Sequence, residues 1–214
     1  MSNAALRALF DNCHSLSELW LNVDLLYNEQ TLDGEPLAVL CASYLSLQSL
    51  YVSSLGVAAS ALRDIFTYCT NLCRVYICRS AQLTPETITA LARNCINLDH
   101  LNLVGCSYVT IAGLVEVAIH CTSLKGLSLM QMPISDEVLL QLAHNCPGLK
   151  SLNMENCEGG PITEAGVRAV AERCTGLTSL SIQGNMAGTL LSTLDPANLK
   201  QLYPHIKFNI GRYY

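Results

Sequence analysis

The sequence contains little charge, and this scarcity limits what the chain can bind. Only 14% of its residues are charged, compared with roughly 25% in a typical domain, and the net charge is −5. No cluster of Lys and Arg occurs, which argues against nucleic acid or an anionic membrane as the main partner. No apolar run approaches the roughly 18 residues that a membrane span needs, and no basic and apolar leader opens the sequence. We therefore expect no nucleic-acid partner and no membrane span.

Catalytic and cofactor-binding signatures are also missing. The sequence contains no G-x-S-x-G nucleophile elbow, no phosphate-binding glycine loop, no H-E-x-x-H helix and no dinucleotide fingerprint. The five histidines are scattered, and no paired C-x-x-C motif supplies the four ligands of a zinc site. We expect a protein that is not an enzyme and that binds no metal or cofactor.

Instead, one short pattern of apolar residues and cysteine recurs along nearly the whole chain. Its clearest copy occupies residues 95–106 and reads C-x-x-L-x-x-L-x-L-x-x-C, preceded by an apolar-periodic helix pattern over residues 83–94. Periods of roughly 20–29 residues with this apolar spacing are the signature of leucine-rich repeats. Seven such units begin at residues 13, 44, 69, 95, 121, 146 and 174.

The spacing within each unit assigns one strand and one helix to it. Apolar residues alternate across the strand segment and then recur every three or four residues across the helix. No unit can bury its apolar faces alone, so the units must stack on one another. We predict an α/β fold, a right-handed, horseshoe-shaped leucine-rich repeat solenoid with parallel strands on the concave face and helices on the convex face. The strands are expected near residues 19–21, 50–52, 75–77, 101–103, 127–129, 152–154 and 180–182.

The ends of the chain depart from this rhythm, although one repeat domain is expected over residues 1–214. Asp195-Pro196 begins a last helix and residues 206–210 alternate as a closing strand, so residues 186–214 are predicted to form a C-terminal cap. Residues 4–12 read as a helix with no strand before it. We therefore expect that an N-terminal cap is absent and that more repeats or another subunit cover this end.

Helix-start signals recur at one position of the repeat. Thr84, Thr110, Ser135 and Thr163 each precede a helix pattern, and their hydroxyls can accept the free amides of the first turn. Residues 158–161 lengthen the sixth step of the repeat, and we expect them to form an exposed turn.

The cysteines follow the same period. Of eleven, six open a repeat unit, at positions 13, 69, 95, 121, 146 and 174, and Cys106 and Cys157 recur at a closing position. A residue that recurs with the structural period has a structural role, and a buried cysteine packs as a small apolar side chain with a weak donor. The odd count and the absence of a leader indicate a reducing compartment, the cytoplasm or the nucleus.

Between the inward leucines, each strand presents residues to the hollow of the horseshoe. The central column begins with three large aromatic residues and then becomes small and polar: Trp20, Tyr51, Tyr76, Asn102, Ser128, Asn153 and Ser181. Aromatic residues and Arg dominate the energetics of protein interfaces. The sequence therefore predicts a site for a protein partner on the N-terminal half of the concave face, formed by Trp20, Tyr51, Tyr76 and Asn102 in the centre, Arg74 and His100 on one flank, and Cys78, Val104 and Met130 on the other.

The repeats resemble the cysteine-containing leucine-rich repeats of F-box/LRR proteins, the substrate receptors of cullin-based ubiquitin ligases. The resemblance is carried by the cores at residues 95–106 and 146–157, by the helix starts Val109-Thr-Ile-Ala-Gly-Leu and Ile162-Thr-Glu-Ala-Gly-Val, and by the ending Leu202-Tyr-Pro-His-Ile-Lys-Phe. The F-box itself has no counterpart in these residues.

This resemblance implies a non-catalytic protein–protein interaction module that recognises substrates or acts as an adaptor. The alternative is a structural scaffold subunit of a large cytoskeletal, ciliary or other assembly. An F-box upstream of these residues would favour the first function, and a coiled coil or nothing upstream would favour the second.

Overall fold

Strands and helices alternate along the computed structural model, which describes residues 16–22, 46–53, 57–184 and 195–211. The predictions for residues 1–15, for the start of the unit at residue 44, and for residues 186–194 and 212–214 of the C-terminal cap lie outside these residues. Strands in a sheet lie about 4.8 Å apart, whereas packed helices need about 8–10 Å. A stack of strand–helix units therefore bends, with its parallel strands on the concave face and its helices on the convex face. The fold is the predicted leucine-rich repeat solenoid of the α/β class.

All strands of the main sheet pair in parallel and follow one another in chain order. The strands predicted at residues 101–103, 127–129 and 152–154 each begin and end one residue earlier than predicted. Backbone hydrogen bonds still continue beyond their ends, since the Leu103 amide donates to the Ser128 carbonyl at 2.9 Å. A second, two-stranded sheet pairs β6 (Pro133–Ile134) with β8 (Glu158–Gly159). The main sheet contains β1 (Glu18–Asn22), β2 (Ser49–Ser53), β3 (Arg74–Cys78), β4 (His100–Asn102), β5 (Gly126–Ser128), β7 (Ser151–Asn153), β9 (Ser179–Gln183) and β10 (Lys207–Gly211).

The helices pack their apolar stripes onto the leucines behind the sheet, as the three- and four-residue spacing predicts. In the second helix the buried residues are Thr87, Ile88, Leu91 and Ala92. No helix in the described ranges is long and apolar enough to cross a membrane. The helices are α1 (Ala59–Tyr68), α2 (Pro85–Asn94), α3 (Ile111–His120), α4 (Asp136–Asn145), α5 (Glu164–Arg173) and α6 (Pro196–Leu202).

The C-terminal residues form the expected helix and strand. Asp195 accepts bonds from the amides of Ala197 and Asn198 at the start of α6. Strand β10 extends the main sheet by pairing in parallel with β9, and Phe208 on it is buried against the core.

Three of the four predicted helix caps form. Ser135 occupies the same position as the capping threonines, but it accepts no side-chain bond from α4. The Asp136 amide in that first turn donates instead to the Pro161 carbonyl at 3.0 Å, in the next repeat. The capping hydroxyls accept an amide of the first turn at 3.2–3.4 Å, and they belong to Thr84, Thr110 and Thr163.

Residues 158–161 do more than form an exposed turn. Glu158 and Gly159 are exposed as predicted, but they also pair as a short parallel strand with β6. Gly159 has φ 107°, and a Cβ there would lie 3.0 Å from the Pro133 Cβ. Glycine is therefore required at this position by both conformation and space.

A residue in the left-handed conformation follows each of the five strands β3, β4, β5, β7 and β9 at the same position of the repeat. These residues are Arg79 (φ 53°), Gly105 (67°), Gln131 (60°), Asn156 (54°) and Gly184 (74°). The amides of the first four donate to carbonyls of the next repeat at 2.7–3.0 Å. The parallel ladder thus continues through the turn, and these bonds hold even bulky residues in a conformation that costs about 1–2 kcal/mol outside glycine.

Of the buried cysteines that open a repeat unit, we call four the column cysteines: Cys95, Cys121, Cys146 and Cys174. Their thiols bond to backbone carbonyls of the repeat before them. For Cys95, Cys121 and Cys146 the acceptor is the third-last carbonyl of the preceding helix, and the last four carbonyls of a helix have no intrahelical partner. Each of these three cysteines is therefore both an apolar filler and a cap for its neighbour's helix. Sulfur-to-oxygen distances of 3.5–3.8 Å join Cys95 to Phe66, Cys121 to Ala92 and Cys146 to Ala118. The Cys174 thiol bonds to the Cys146 carbonyl at 3.4 Å.

Glycine lets consecutive helices approach closely. A Cβ at Gly166, in the first turn of α5, would overlap Asp136 Oδ1 and lie 2.9 Å from Leu139 Cδ1 of α4. The two carboxylate oxygens of Asp136 accept hydrogen bonds from Thr163, one from its amide at 2.8 Å and one from its hydroxyl at 2.5 Å. Movement of the carboxylate away from a new Cβ would break these two bonds.

Replacing Gly166 by Ala should lower the free energy of unfolding by about 1–3 kcal/mol, because overpacking forces neighbours apart. Gly176→Ala is the matched control, since nothing lies within 4 Å of a Cβ at that position. Urea denaturation of both variants measures the difference. Equal midpoints for the two would contradict this account of helix packing.

Burial also controls the chemistry of the column thiols. It raises the pKa of Cys121 and Cys146 to about 12 and that of Cys174 to about 11, from an ordinary value near 9. The unfolded chain therefore loses these protons first as the pH rises. The sign of the linkage follows: the free energy of unfolding falls between about pH 9 and pH 12.

Cys73 and Cys78 are partly exposed, and we expect iodoacetamide to alkylate them in the native state long before it reaches Cys121 or Cys146. The thiolate is the reactive form, and burial keeps the column thiols protonated. Mass-spectrometric mapping of alkylated peptides at near-neutral pH follows each site, with labelling in urea as the control. Native alkylation of Cys121 as fast as that of Cys73 would show that the column is not buried.

Candidate protein-interaction face

The strand register brings the three predicted aromatic residues into one stack. Trp20 lies opposite Tyr51, and Tyr51 lies opposite Tyr76. The ring centroids of the first pair are 3.8 Å apart with an interplanar angle of 7°, and those of the second pair are 4.6 Å apart at 2°. Parallel strands separated by about 4.8 Å place side chains of one column at stacking distance. We call Trp20, Tyr51 and Tyr76 the aromatic ladder.

The ladder is open to solvent at Trp20. This side chain is 63% exposed, and its Nε1 donates to Glu18 Oε1 at 2.7 Å. Burial between the two other rings raises the pKa of Tyr51, and the charges of Tyr76 and Glu18 raise it further, while Arg74 acts in the opposite direction. At neutral pH Tyr51 therefore presents a protonated hydroxyl.

Beyond Tyr76 the column becomes small, as the sequence shows. Asn102 and Asn153 turn their side-chain oxygens back to the amides of Val104 and Glu155, at 3.3 Å and 3.0 Å. The short side chains leave a depression of about 310 Å³. It extends from Tyr76 and His100 past Ser128 towards β9.

Ser181 differs from the expected exposed residue. It is only 6% exposed, and its hydroxyl accepts a bond from Asn209 Nδ2 at 2.9 Å. Strand β10 adds one more strand to the sheet and covers this position. The accessible part of the central column therefore ends before β9.

One flank of the face carries a small charge network. His100 Nδ1 lies 2.7 Å from Asp99 Oδ1, and Lys125 Nζ lies 3.3 Å from Asp99 Oδ2. Partial burial alone would raise the pKa of Asp99, but the bonds to His100 and Lys125 outweigh it and hold the pKa below its usual value. A Cβ at Gly126 would lie 2.6 Å from His100 Cδ2, so glycine there makes room for the imidazole.

The opposite flank is apolar, as predicted from Cys78, Val104 and Met130, which are all partly exposed. Burial raises the pKa of the Cys78 thiol, and the nearby Arg79 charge only partly offsets this. In the described part of the chain, none of the nine residues predicted to bind a partner is buried: Trp20, Tyr51, Arg74, Tyr76, Cys78, His100, Asn102, Val104 and Met130. No group of three or more His, Cys, Asp or Glu in these ranges could hold a metal ion.

Sequence reasoning identified Arg74 but missed the three lysines that border this face, Lys125, Lys150 and Lys207. Arg74 and Lys207 begin strands, and Lys125 and Lys150 immediately precede strands. We call the residues just before and at the start of each strand the leading edge. The signal was present in the sequence, because three of the chain's four lysines occupy this part of the repeat.

Replacing Tyr51, the middle ring of the aromatic ladder, should lower the free energy of unfolding more than replacing Trp20 or Tyr76 at its ends. Tyr51 takes part in two ring contacts, each worth about 0.5–1.5 kcal/mol. We expect Tyr51→Ala to destabilise by about 1–3 kcal/mol and Tyr76→Ala by about half of that. Thermal denaturation measures both, with Tyr68→Ala, on the end of α1, as an exposed tyrosine control. Equal losses for Tyr51→Ala and Tyr68→Ala would mean that the stacking contributes nothing.

The sequence shows a partial similarity to a known protein. No family model matches it. It is 29% identical over 100 residues to F-box protein SKIP17 of Arabidopsis thaliana, a match that covers 44% of this chain and 21% of that protein. The chain thus spans about a fifth of the length of this relative.

Two solved structures align with nearly the whole chain. Internalin C2 of Listeria monocytogenes superposes with a TM-score of 0.57 at 14% identity, covering 99% of this chain and 83% of that one. A chain of the Rad7 and Elc1 complex from yeast gives 0.41 at 14% identity, with coverages of 97% and 77%, a score too low to establish a shared fold. The repeats and the fold show a leucine-rich repeat solenoid with cysteine-containing repeats, and over 100 residues its sequence resembles that of an F-box protein.

Proposed function

We propose that the chain is a non-catalytic protein-interaction module that binds a protein partner on its concave face, and that it serves as a substrate-recognition or adaptor domain of the F-box/LRR type. One observation carries the proposal: three stacked aromatic rings stand on the solvent side of the sheet, and Trp20 at their end is 63% exposed.

The aromatic ladder is suited to binding because it serves no core-packing purpose. The core is filled by the alternate residues of the same strands, such as Leu50 and Val75, which are fully buried. Large aromatic side chains bury much area with few rotatable bonds and keep a polar tip. Such residues supply most of the energy at protein interfaces.

The F-box/LRR role draws its support from the sequence match. The relative that shares 29% identity over 100 residues is named an F-box protein, and the cysteine-containing repeats point to the same group. The protonated thiols of the column are compatible with a reducing compartment, the cytoplasm or the nucleus. We also propose that further repeats or another subunit contact the N-terminal end of the chain.

Truncating the ladder tests the binding face. Trp20→Ala and Tyr76→Ala should each weaken partner binding by about 2 kcal/mol, which is roughly thirtyfold in Kd. Tyr68→Ala, an exposed tyrosine on α1 outside the concave face, is the control and should leave the affinity unchanged. Partners captured from a lysate with the wild-type chain are identified by mass spectrometry and then titrated against each variant. Equal affinities for all variants would place the interface elsewhere.

The half-life of the captured partner in cells distinguishes a substrate receptor from the alternative, a structural scaffold subunit. If the chain is a substrate receptor, its depletion from cells should lengthen the partner's half-life, and the ladder variants should not restore turnover. A scaffold subunit would have the opposite effect, because partners of a missing subunit lose their binding site and become less stable. A shortened half-life would therefore contradict the receptor function while leaving the binding face in place.

A further inference from the structure

The aromatic ladder ends at a ring with one free face. One face of Tyr76 stacks on Tyr51 at 4.6 Å, and the other borders the depression. The residue opposite Tyr76 in the next strand is Asn102, whose side-chain oxygen is bonded to its own repeat. Among the described residues no further ring continues the stack. The next place in the ladder is therefore empty but bounded by protein.

The depression beside this ring fits one flat side chain. Its volume of about 310 Å³ lies at the lower end of the range, roughly 300–1,000 Å³, of sites that bind small organic groups. Its lining includes the polar side chains of Ser128, Ser151 and Asn153. A ring with a polar edge could stack on Tyr76 and bond to these groups, whereas an aliphatic side chain would leave them without partners.

The leading edge beside the depression is positively charged, although the chain as a whole carries −5. The two acidic residues of the leading edge in the described ranges already have partners. Glu18 accepts a bond from Trp20, and Asp99 bonds to His100 and Lys125. Arg74, Lys150 and Lys207 form no ion pair with any residue in the described ranges. Arg74 lies near the aromatic ladder, and Lys150 adjoins Ser151 of the depression.

We propose that the depression beside Tyr76 binds an aromatic side chain from an acidic, extended segment of the protein partner. The partner's ring continues the ladder by stacking on the free face of Tyr76, and its flanking carboxylates pair with Arg74 on one side and Lys150 on the other. This inference rests on the proposed function and adds the chemistry that the face recognises. Charge complementarity steers such a segment to the leading edge and selects against a basic one.

A displayed library of random twelve-residue peptides tests this recognition directly, whichever protein the partner is. Selection on the wild-type chain should enrich peptides in which Tyr, Trp or Phe lies within two or three residues of Asp or Glu. Selection on Lys150→Glu should shift the flanking residues from acidic towards basic. Wild-type selection that yields no enriched peptide, or peptides without an aromatic residue, would overturn the inference.

Fluorescence polarisation with the most enriched peptide then locates the contact. Tyr76→Ala should weaken its binding at least tenfold and Lys150→Gln about threefold. Asn102→Tyr should abolish it, because the new ring occupies the empty place in the ladder. Tyr68→Ala and Lys200→Gln, on helices α1 and α6, are the matched controls and should bind like the wild type.

The pattern of losses distinguishes this inference from the proposed function. If binding depends on Trp20 and Tyr51 but not on Tyr76, Asn102 or Lys150, the concave interface stands and the aromatic site is wrong. If all ladder variants bind the peptide and the captured partner like the wild type, both proposals fail. Retained binding by Asn102→Tyr alone would also overturn the aromatic site.

Discussion

The close, in-register contact of each repeat with the one before it is the constraint on which this structure depends. A single strand and helix cannot bury their apolar faces, so every repeat must use its neighbours. Parallel pairing fixes one residue of each strand opposite its equivalent in the next, as Leu101 lies opposite Leu127. The helices can lie close together because small side chains occupy their contacts. Gly166 lets α5 approach α4, and the column thiols cap the ends of the preceding helices.

The same register builds the candidate site. Any column of residues on the concave side is stacked at the strand spacing, whatever its chemistry. Where the column is aromatic, at Trp20, Tyr51 and Tyr76, the result is a ladder of nearly parallel rings. Where it becomes small, at Asn102 and Ser128, the result is a depression. The surface that we propose for partner binding is thus a direct consequence of which residues fill one column of the repeat.

This dependence explains why much of the structure could be predicted from the sequence. Periodic spacing identifies buried leucines and exposed aromatic residues, because a strand alternates its two faces. The caps at Thr84 and Thr110 followed from local chemistry alone.

The details that were missed depend on contacts between repeats or on backbone conformation. Asp136 bonds to Thr163 of the next repeat, and Ser181 is covered by Asn209 of β10. Arg79 adopts a conformation with φ 53° that its side chain does not favour. None of these features has a signature within a single repeat.

The central claim is that the partner covers the aromatic ladder, and Trp20 reports on this directly because it is the only tryptophan in the chain. A chain that carries fluorotryptophan gives one fluorine NMR signal from the solvent-exposed end of the ladder. Addition of saturating captured partner should shift this signal and reduce its sensitivity to soluble paramagnetic quencher. A signal whose position and quenching stay the same in the complex would contradict the account.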